Sequence, residues 1–175
     1  TLRSQVDAIL IGRQTALIDN PNLTVRKVVG ENPKRLILDT DRKLPMNLNI
    51  FNHNDQKTIV FCSNKRFQNT HTAQYQYVAT EESNGMLDPN DIINKVTRLG
   101  INSLLIEGGA QVIKSFIKFN LIDEVYIYTA PKSLSNAKLK NPIIINEDWI
   151  VTSEQIIGED KLIIARKKEK CLQEL

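Results

Sequence analysis

One carboxylate and two glycines stand between an apolar run and a helical pattern, and these residue types suit phosphate chemistry. The run 104–106 predicts a buried strand, and Glu107 and the pair Gly108-Gly109 follow it directly. A helix start leaves main-chain N–H groups free for phosphate oxygens, and glycine lets a ligand approach the main chain closely. The sequence therefore predicts phosphate binding here, with Glu107 as a candidate for chemistry. A tight turn with no ligand is the alternative.

A second candidate set lies near the amino end, where Asp19 and Arg26 flank a loop of sequence DNPNLTVR. A carboxylate can bind ribose hydroxyls, and an arginine can form two parallel hydrogen bonds with a phosphate. The same composition is common in ordinary loops, where Asp19 would cap a turn and Arg26 would be a solvated surface residue. The residue types alone favour this second interpretation.

Short strands and helices alternate along the chain and would position these residues. The predicted strands are Ala8–Ile11, Arg35–Leu38, Thr58–Ser63, Tyr75–Ala79, 104–106 and Glu124–Thr129. One helix is predicted to start at Asp88-Pro89 and to end at Gly100, another to follow Gly109 and end at Asn120, and residues 2–6 to be the end of a third. Residues 23–29 are predicted as a loop or an edge strand. Trp149–Ile157 and Lys161–Arg166 predict an antiparallel hairpin, so the pattern indicates an α/β protein with a mainly parallel sheet and an antiparallel edge.

Composition is that of an ordinary globular domain. The 175 residues are 41% hydrophobic and 25% charged with a formal net charge of +3, which fits one domain, 1–175, and argues against a nucleic-acid surface. The basic run 166–168 is interpreted as a solvated chain end. Cys62 and Cys171 lie far apart beside only two histidines, which argues against a zinc site and for a reduced cytoplasmic protein. No membrane span or signal peptide is predicted, and the start at Thr1 leads us to expect further residues upstream.

Three stretches in order resemble one known family. They are LRSQVDAILIGRQTALIDNPNLTVR at 2–26, RLILDTDRKLP at 35–45 and LLIEGGAQVIKSFIKFNLIDEVYIYTAP at 104–131. Together they resemble the reductase domain of the bifunctional riboflavin-biosynthesis deaminase–reductase, and the likeness covers nearly the whole chain. It implies a dihydrofolate-reductase-like fold with helices on both faces of the central sheet. It also implies a homodimer, with the possibility of a covalently linked deaminase domain upstream.

The implied activity is the NADPH-dependent reduction of the ribosyl group of 5-amino-6-(5-phosphoribosylamino)uracil to a ribityl group. By resemblance, Arg3, Leu23, Arg26 and Glu107 bind the substrate, and Asp19 and Glu107 serve catalysis. Cofactor contacts are implied for Thr15, Asp19, Thr40, Gly109, Ala110, Gln111, Val112, Ile113, Lys114 and Ser115. No metal is implied. Two alternatives are a reductase for the 2,5-diamino-6-ribosylamino-pyrimidinone phosphate and a catalytically silent dimerisation module attached to a deaminase.

Other residues fall outside the family pattern. Arg42 could bind the 2′-phosphate of NADPH because arginine suits phosphate recognition. His53 and His71 are interpreted as exposed loop residues, and Trp149 as core or edge packing. The family's first strand and the deaminase's zinc-binding motif have no counterpart in the sequence. We therefore expect this chain to be a piece of a longer protein that binds its ligands weakly alone.

Overall fold

The computed structural model describes residues 2–55, 57–70, 72–133, 135 and 140–168. The chain divides into two compact units, Thr1–Ser115 and Phe116–Leu175. Two positions named above, His71 and Cys171, lie outside the described residues. Within the described part of the chain, no helix is long and apolar enough to cross a membrane.

The first unit is built on a sheet of five parallel strands. They are β1 (Ala8–Gly12), β2 (Lys34–Leu38), β3 (Thr58–Ser63), β4 (Tyr75–Thr80) and, after the short pair β5 (Glu82–Ser83) and β6 (Met86–Leu87), β7 (Leu104–Gly108). Their order across the sheet is β4-β3-β2-β1-β7. Every residue of β1 and of β3 is buried. This explains why these strands are continuous apolar runs and do not alternate, as is usual for parallel strands covered on both faces.

The strand order places β1 between the two halves of the sheet. The chain passes from β1 to β2, β3 and β4 on one side, and returns to add β7 on the other. Carboxyl ends of parallel strands lie at one edge of a sheet, and ligands bind there where the strand order changes direction. The topology therefore predicts a ligand site at the carboxyl ends of β1 and β7.

Three α-helices have sequence-encoded boundaries. Helix α1 (Arg13–Asp19) follows β1 directly and ends at Asn20, whose φ of 40° is left-handed. Helix α2 (Pro89–Arg98) starts where predicted, since the Asp88 side chain accepts hydrogen bonds from two main-chain N–H groups of its first turn. Helix α3 (Ala110–Lys118) follows the glycine pair. Leu2–Ser4 and Asn49–Phe51 form short 3₁₀ helices.

A buried polar network lies at the amino ends of β2 and β3. Arg35 is fully buried, donates from Nε to the Thr58 hydroxyl at 2.9 Å and forms an ion pair with Asp55. The Thr58 hydroxyl in turn donates to the Ile50 carbonyl at 2.8 Å. A buried charge needs such partners, so the network ties the 3₁₀ helix Asn49–Phe51 to two strands of the sheet.

The second unit contains a three-stranded antiparallel sheet. Strands β8 (Glu124–Thr129), β9 (Trp149–Ile157) and β10 (Asp160–Lys167) pair in the order β8-β10-β9. Val125, Trp149 and Ala165 form its small core.

Most of the predicted elements are confirmed. These include the mainly parallel sheet, the C-terminal hairpin and the packing of Trp149. Arg166 and Lys168 are exposed, as expected for a solvated run, but residues 166–168 do not form a free chain end. Arg166 and Lys167 belong to β10 and form ion pairs with Glu124 and Asp148. The region 23–29 is loop and contains no strand. The pair β5–β6 was not predicted, although Asn84-Gly85 is a typical hairpin turn.

We predict that Asp7 contributes stability that depends on pH. The main-chain N–H groups of Asn102 and then Ser103 hydrogen bond to its carboxylate and hold its pKa below the ordinary 3.8. A lowered pKa gives stability that is complete above 3.8 and is lost as the pH falls through the folded-state pKa. Asp7→Asn should therefore destabilise the protein at neutral pH and have little effect well below that pKa. Urea unfolding at both pH values measures this.

The control is Glu31→Gln, because Glu31 is exposed and its side chain makes no hydrogen bond within the described residues. Equal destabilisation by Asp7→Asn at both pH values would contradict the prediction.

Candidate active site

The carboxyl ends of β1 and β7 lie side by side and form the base of the candidate site. Leu10 pairs with Ile106, but the next residue of β1, Ile11, pairs with Gly108. Glu107 is therefore an extra residue in β7, a β-bulge. Bulges change the direction in which a side chain points and are frequent beside active sites. The peptide bond between Gly108 and Gly109 is cis.

Glycine is required at this edge because neighbouring groups approach closely. A Cβ on Gly12 would lie 2.8 Å from Cγ2 of Val112, and one on Gly109 would lie 3.2 Å from the Thr15 hydroxyl oxygen. Gly108 has a φ of 155°, which favours glycine. The structure thus brings together Thr15 and the first turn of α3. The family resemblance assigns both of these to the cofactor.

An ion pair joins two of the four residues that the resemblance assigns to the substrate. Arg3 donates from Nε and Nη2 to the two Glu107 oxygens at 2.8 and 2.7 Å. Its Nη1 donates to the Thr24 carbonyl at 3.0 Å. The two side chains are 25% and 26% exposed, so the pair is accessible to solvent and not part of the core. This pair connects the first 3₁₀ helix, β7 and the loop after α1.

The loop after α1 carries the remaining substrate candidates, and the structure separates them. Asp19, the last residue of α1, is exposed, and so is Arg26, whose side chain makes no hydrogen bond within the described residues. Leu23 is 1% exposed and belongs to the core of the first unit. Its φ of 53° is left-handed, an unfavourable conformation for leucine. Leu23 is therefore covered, main chain included, and a direct contact with a ligand would need this loop to move.

Thr40 and Arg42 lie in the turn after β2, at the same edge of the sheet. The Thr40 carbonyl accepts from the Ser63 N–H at 3.0 Å, which fixes the turn to the end of β3. Inside the turn, buried Asp39 accepts from the Leu44 N–H at 2.8 Å. Within the described part of the chain, no hydrogen bond links this turn directly to Glu107 or Thr15.

Arg42 has no carboxylate partner within the described residues. Its guanidinium lies over the Tyr77 ring, 3.9 Å from the centroid, and makes long hydrogen bonds of 3.3–3.4 Å to Gln68 and Thr70. Burial raises the pKa of the Tyr77 phenol, and the hydrogen bond and charge of Arg42 partly offset this rise. An aromatic face does not neutralise a guanidinium as a carboxylate would, so Arg42 can still attract an anion.

Three residues near the site carry no sequence signal that points to them. Arg13, directly after Gly12, is half-buried and makes no hydrogen bond or ion pair within the described residues. Asn49 hydrogen bonds to Asn20 across the molecule. His53 was expected to be exposed, which is wrong. It is half-buried, and among the described residues its Nε2 has no hydrogen-bond partner. Burial and then the charge of Arg35 lower its pKa and favour the neutral imidazole.

Comparison with known proteins places the chain in a family. Residues 1–159 match the family model of the RibD C-terminal domain. The chain belongs to this family. It is similar to the 2,5-diamino-6-ribosylamino-4(3H)-pyrimidinone 5′-phosphate reductase of Aquifex aeolicus, with 29% identity over 133 residues, 74% of this chain and 59% of that protein. It is also similar to riboflavin biosynthesis protein RibD of the same organism, with 28% identity over 177 residues, 95% of this chain and 48% of RibD.

Solved structures of RibD-family proteins share the fold. A deaminase/reductase of Thermotoga maritima superposes with a TM-score of 0.76 at 24% identity, covering 95% of this chain and 47% of that one. RibD of Acinetobacter baumannii gives a TM-score of 0.74 at 19% identity, covering 95% and 48%. The dihydrofolate-reductase-like fold is thereby confirmed, as is the resemblance to the RibD reductase domain. The chain spans about half to three-fifths of the length of the curated relatives given above.

We predict that Gly12 is required for the contact between β1 and α3. Gly12→Ala would place a methyl group 2.8 Å from Val112 Cγ2 in a buried position, so it should lower the free energy of unfolding by about 1–3 kcal/mol. Urea unfolding measures the change. The double variant Gly12→Ala, Val112→Ala removes the methyl group of Val112 that would clash. Its free energy of unfolding should fall by less than the sum of the decreases in the two single variants. Additive effects of the two substitutions would contradict the proposed clash.

Proposed function

We propose that this domain reduces the ribosyl group of 5-amino-6-(5-phosphoribosylamino)uracil to a ribityl group with NADPH, a step of riboflavin biosynthesis. One observation carries the proposal: in a chain of the RibD C-terminal domain family, a β-bulge places the Glu107 carboxylate beside the Gly108-Gly109 turn, in contact with Arg3. The family supports a reductase and thus a nicotinamide cofactor. The choice of NADPH and of this substrate is our proposal.

The residues at the carboxyl edge of the sheet fit a dinucleotide. The Thr15 and Thr40 hydroxyls suit ribose and phosphate oxygens, and the exposed Asp19 carboxylate suits ribose hydroxyls. The first turn of α3 begins directly after the glycines, so its main-chain N–H groups can face a pyrophosphate without a Cβ in the way. When bound, NADPH supplies the hydride.

The substrate would lie between Glu107 and the loop after α1. Arg3 uses three of its five N–H groups on Glu107 and Thr24, so two remain for a substrate phosphate, and Arg26 is exposed without a side-chain partner in the described part of the chain. Glu107 keeps further lone pairs for the hydroxyls of an open-chain sugar. It can orient the sugar and help a proton reach its oxygen as the carbon is reduced.

A second substrate is favoured by the names of two relatives. The similar proteins of Aquifex aeolicus and of Archaeoglobus fulgidus, the latter 31% identical over 144 residues, are reductases of the 2,5-diamino-6-ribosylamino-pyrimidinone phosphate. The two substrates differ in the base, whereas Arg3, Arg26 and Glu107 are proposed to meet the phosphate and the sugar. Assaying both compounds with the same protein distinguishes the two functions.

The proposal extends to the assembly. By resemblance we propose a cytoplasmic homodimer, with a deaminase domain covalently linked in the whole protein as in the RibD relatives. Strand β9 is an edge strand of its sheet. Its exposed Ile150 and Ile157 pair with Arg166 and Asp160, so they share one face and offer an apolar surface to a second copy of the chain. Sedimentation of the purified chain as a monomer would argue against the dimer.

We predict that Glu107 is required for turnover. Glu107→Gln keeps the size of the side chain but removes its charge and its ability to accept a proton, so kcat/KM should fall about 100-fold. Asp19→Asn should weaken cofactor binding. The measurement is NADPH oxidation by this chain and by the full-length protein, with Glu31→Gln as the control because Glu31 is an exposed glutamate in a loop.

If neither Glu107→Gln nor Asp19→Asn changes turnover by the full-length protein, the assignment of these residues is wrong. If the folded full-length protein has no reductase activity with either substrate, the function itself is wrong, and a dimerisation module becomes the better description.

We predict that Arg42 selects NADPH over NADH. Arg42→Ala removes the cation that we propose for the 2′-phosphate, so the KM for NADPH should rise about tenfold while that for NADH changes little, which corresponds to one charged hydrogen bond. Arg66→Ala is the matched control, since Arg66 is exposed and its side chain makes no hydrogen bond within the described residues. An equal effect of Arg42→Ala on both cofactors would overturn the assignment.

A further inference from the structure

Two asparagines that are 29 residues apart bind each other with two hydrogen bonds. The Asn49 main-chain N–H donates to Asn20 Oδ1 at 2.8 Å, and the Asn49 side-chain amide donates to the Asn20 carbonyl at 2.9 Å. Each residue thus uses both its main chain and its side chain. Such a pairing fixes the direction of the chain at Asn20 in addition to its distance from Asn49.

Asn20 lies at the point where α1 ends and the loop begins. Its φ of 40° and ψ of 54° are left-handed, a conformation that asparagine tolerates better than most residues but that still needs support. Asp19 precedes it directly, and Leu23 and Arg26 follow within six residues. The conformation of Asn20 therefore determines how the loop that carries the proposed substrate residues is oriented relative to α1 and Asp19.

The other partner, Asn49, is anchored to the sheet. It is the first residue of the 3₁₀ helix Asn49–Phe51, and the next carbonyl, that of Ile50, accepts from the Thr58 hydroxyl of β3 at 2.8 Å. The same hydroxyl accepts from the buried Arg35 of β2 at 2.9 Å. A continuous set of hydrogen bonds therefore runs from two central strands to Asn20.

The same segment holds the loop at one more point. Leu23 is buried in one cluster with Leu48, Ile50 and Phe51. Asn20 and Leu23 are thus both held by residues 48–51, whereas Asp19 and Arg26 on either side of them stay exposed.

We propose that Asn49 is a positioning residue for ligand binding: through Asn20 it fixes the end of α1 at Asp19 and the loop that carries Leu23 and Arg26. This inference rests on the proposed function for its effect on the reaction. Its structural part, the rigidity of the loop, does not depend on that function.

The substitution Asn49→Ala tests the role because it removes the bond to the Asn20 carbonyl and keeps the main-chain N–H donor. Asn20→Gly removes the other bond and retains a residue that adopts a left-handed φ at no cost. Asn52→Ala is the matched control. Asn52 belongs to the same segment, is exposed, and its side chain makes no hydrogen bond within the described residues.

Two readouts apply to each variant of the full-length protein. Amide hydrogen exchange of residues 19–26 should become about tenfold faster in Asn49→Ala and in Asn20→Gly and stay unchanged in Asn52→Ala, the size expected for one hydrogen bond. The KM values for NADPH and for the phosphoribosylamino substrate should rise about three- to tenfold while kcat stays within about twofold, because the loop residues 20–26 are proposed to contact ligands and not to transfer a proton or a hydride. The double variant Asn49→Ala, Asn20→Gly should raise the KM values by less than the product of the two single increases, since both substitutions disrupt the same contact between Asn49 and Asn20.

If amide hydrogen exchange of residues 19–26 is unchanged in a folded Asn49→Ala variant, Asn49 does not fix this loop and the proposal is wrong. Faster exchange with unchanged KM values would reduce Asn49 to a purely structural residue and overturn its role in binding. If the wild-type protein oxidises no NADPH with either substrate, the proposed function is wrong. The hydrogen-exchange experiment still decides whether Asn49 fixes the loop through Asn20.

Discussion

The parallel pairing of β1 with β7 is the constraint on which the candidate site depends. The two parallel strands bring Gly12 and Gly108 to the same edge, and the bulge inside β7 shifts the register by one residue at Glu107. Without that shift, side chains would continue to alternate between the two faces of the sheet. The bulge instead places a carboxylate at the strand end, directly before the glycine turn and α3.

Polar contacts hold the less regular parts of the site on this frame. Arg3 joins Glu107 to the Thr24 carbonyl, and Asn49 joins the sheet to Asn20. The loop between them has neither helix nor strand over residues 20–33, so its main-chain groups find their partners in side chains from elsewhere. A loop held in this way can keep unfavourable conformations, such as the left-handed Leu23, because the surrounding packing compensates for their cost.

Membership in the RibD C-terminal domain family gives these features a common context. The family match covers residues 1–159, and structures with the same fold are parts of larger deaminase/reductase chains. The proposed reduction requires a hydride donor, a group that orients an open-chain sugar and cations for phosphates. We propose that Glu107 orients the sugar and that Arg3, Arg26 and Arg42 bind phosphates, and these residues come from three separate parts of the chain. The antiparallel sheet of the second unit contributes none of the proposed ligand contacts, which leaves its edge strand free for a role in assembly.

The sequence by itself determined the elements whose signals are local. Continuous apolar runs predicted β1 and β3, and Asp88-Pro89 predicted the start of α2, because caps and burial patterns depend on residues close together in the chain. The motif at 104–131, combined with those at 2–26 and 35–45, was enough to indicate the family, the fold and a set of candidate residues. Tertiary structure alone decided how those residues meet. The pairing of Arg3 with Glu107 spans 104 residues, Asn49 binds Asn20 from 29 residues away, and His53 is half-buried although its sequence neighbours are polar. Contacts of this kind leave no periodic pattern, since they depend on which chain segments the sheet topology brings together.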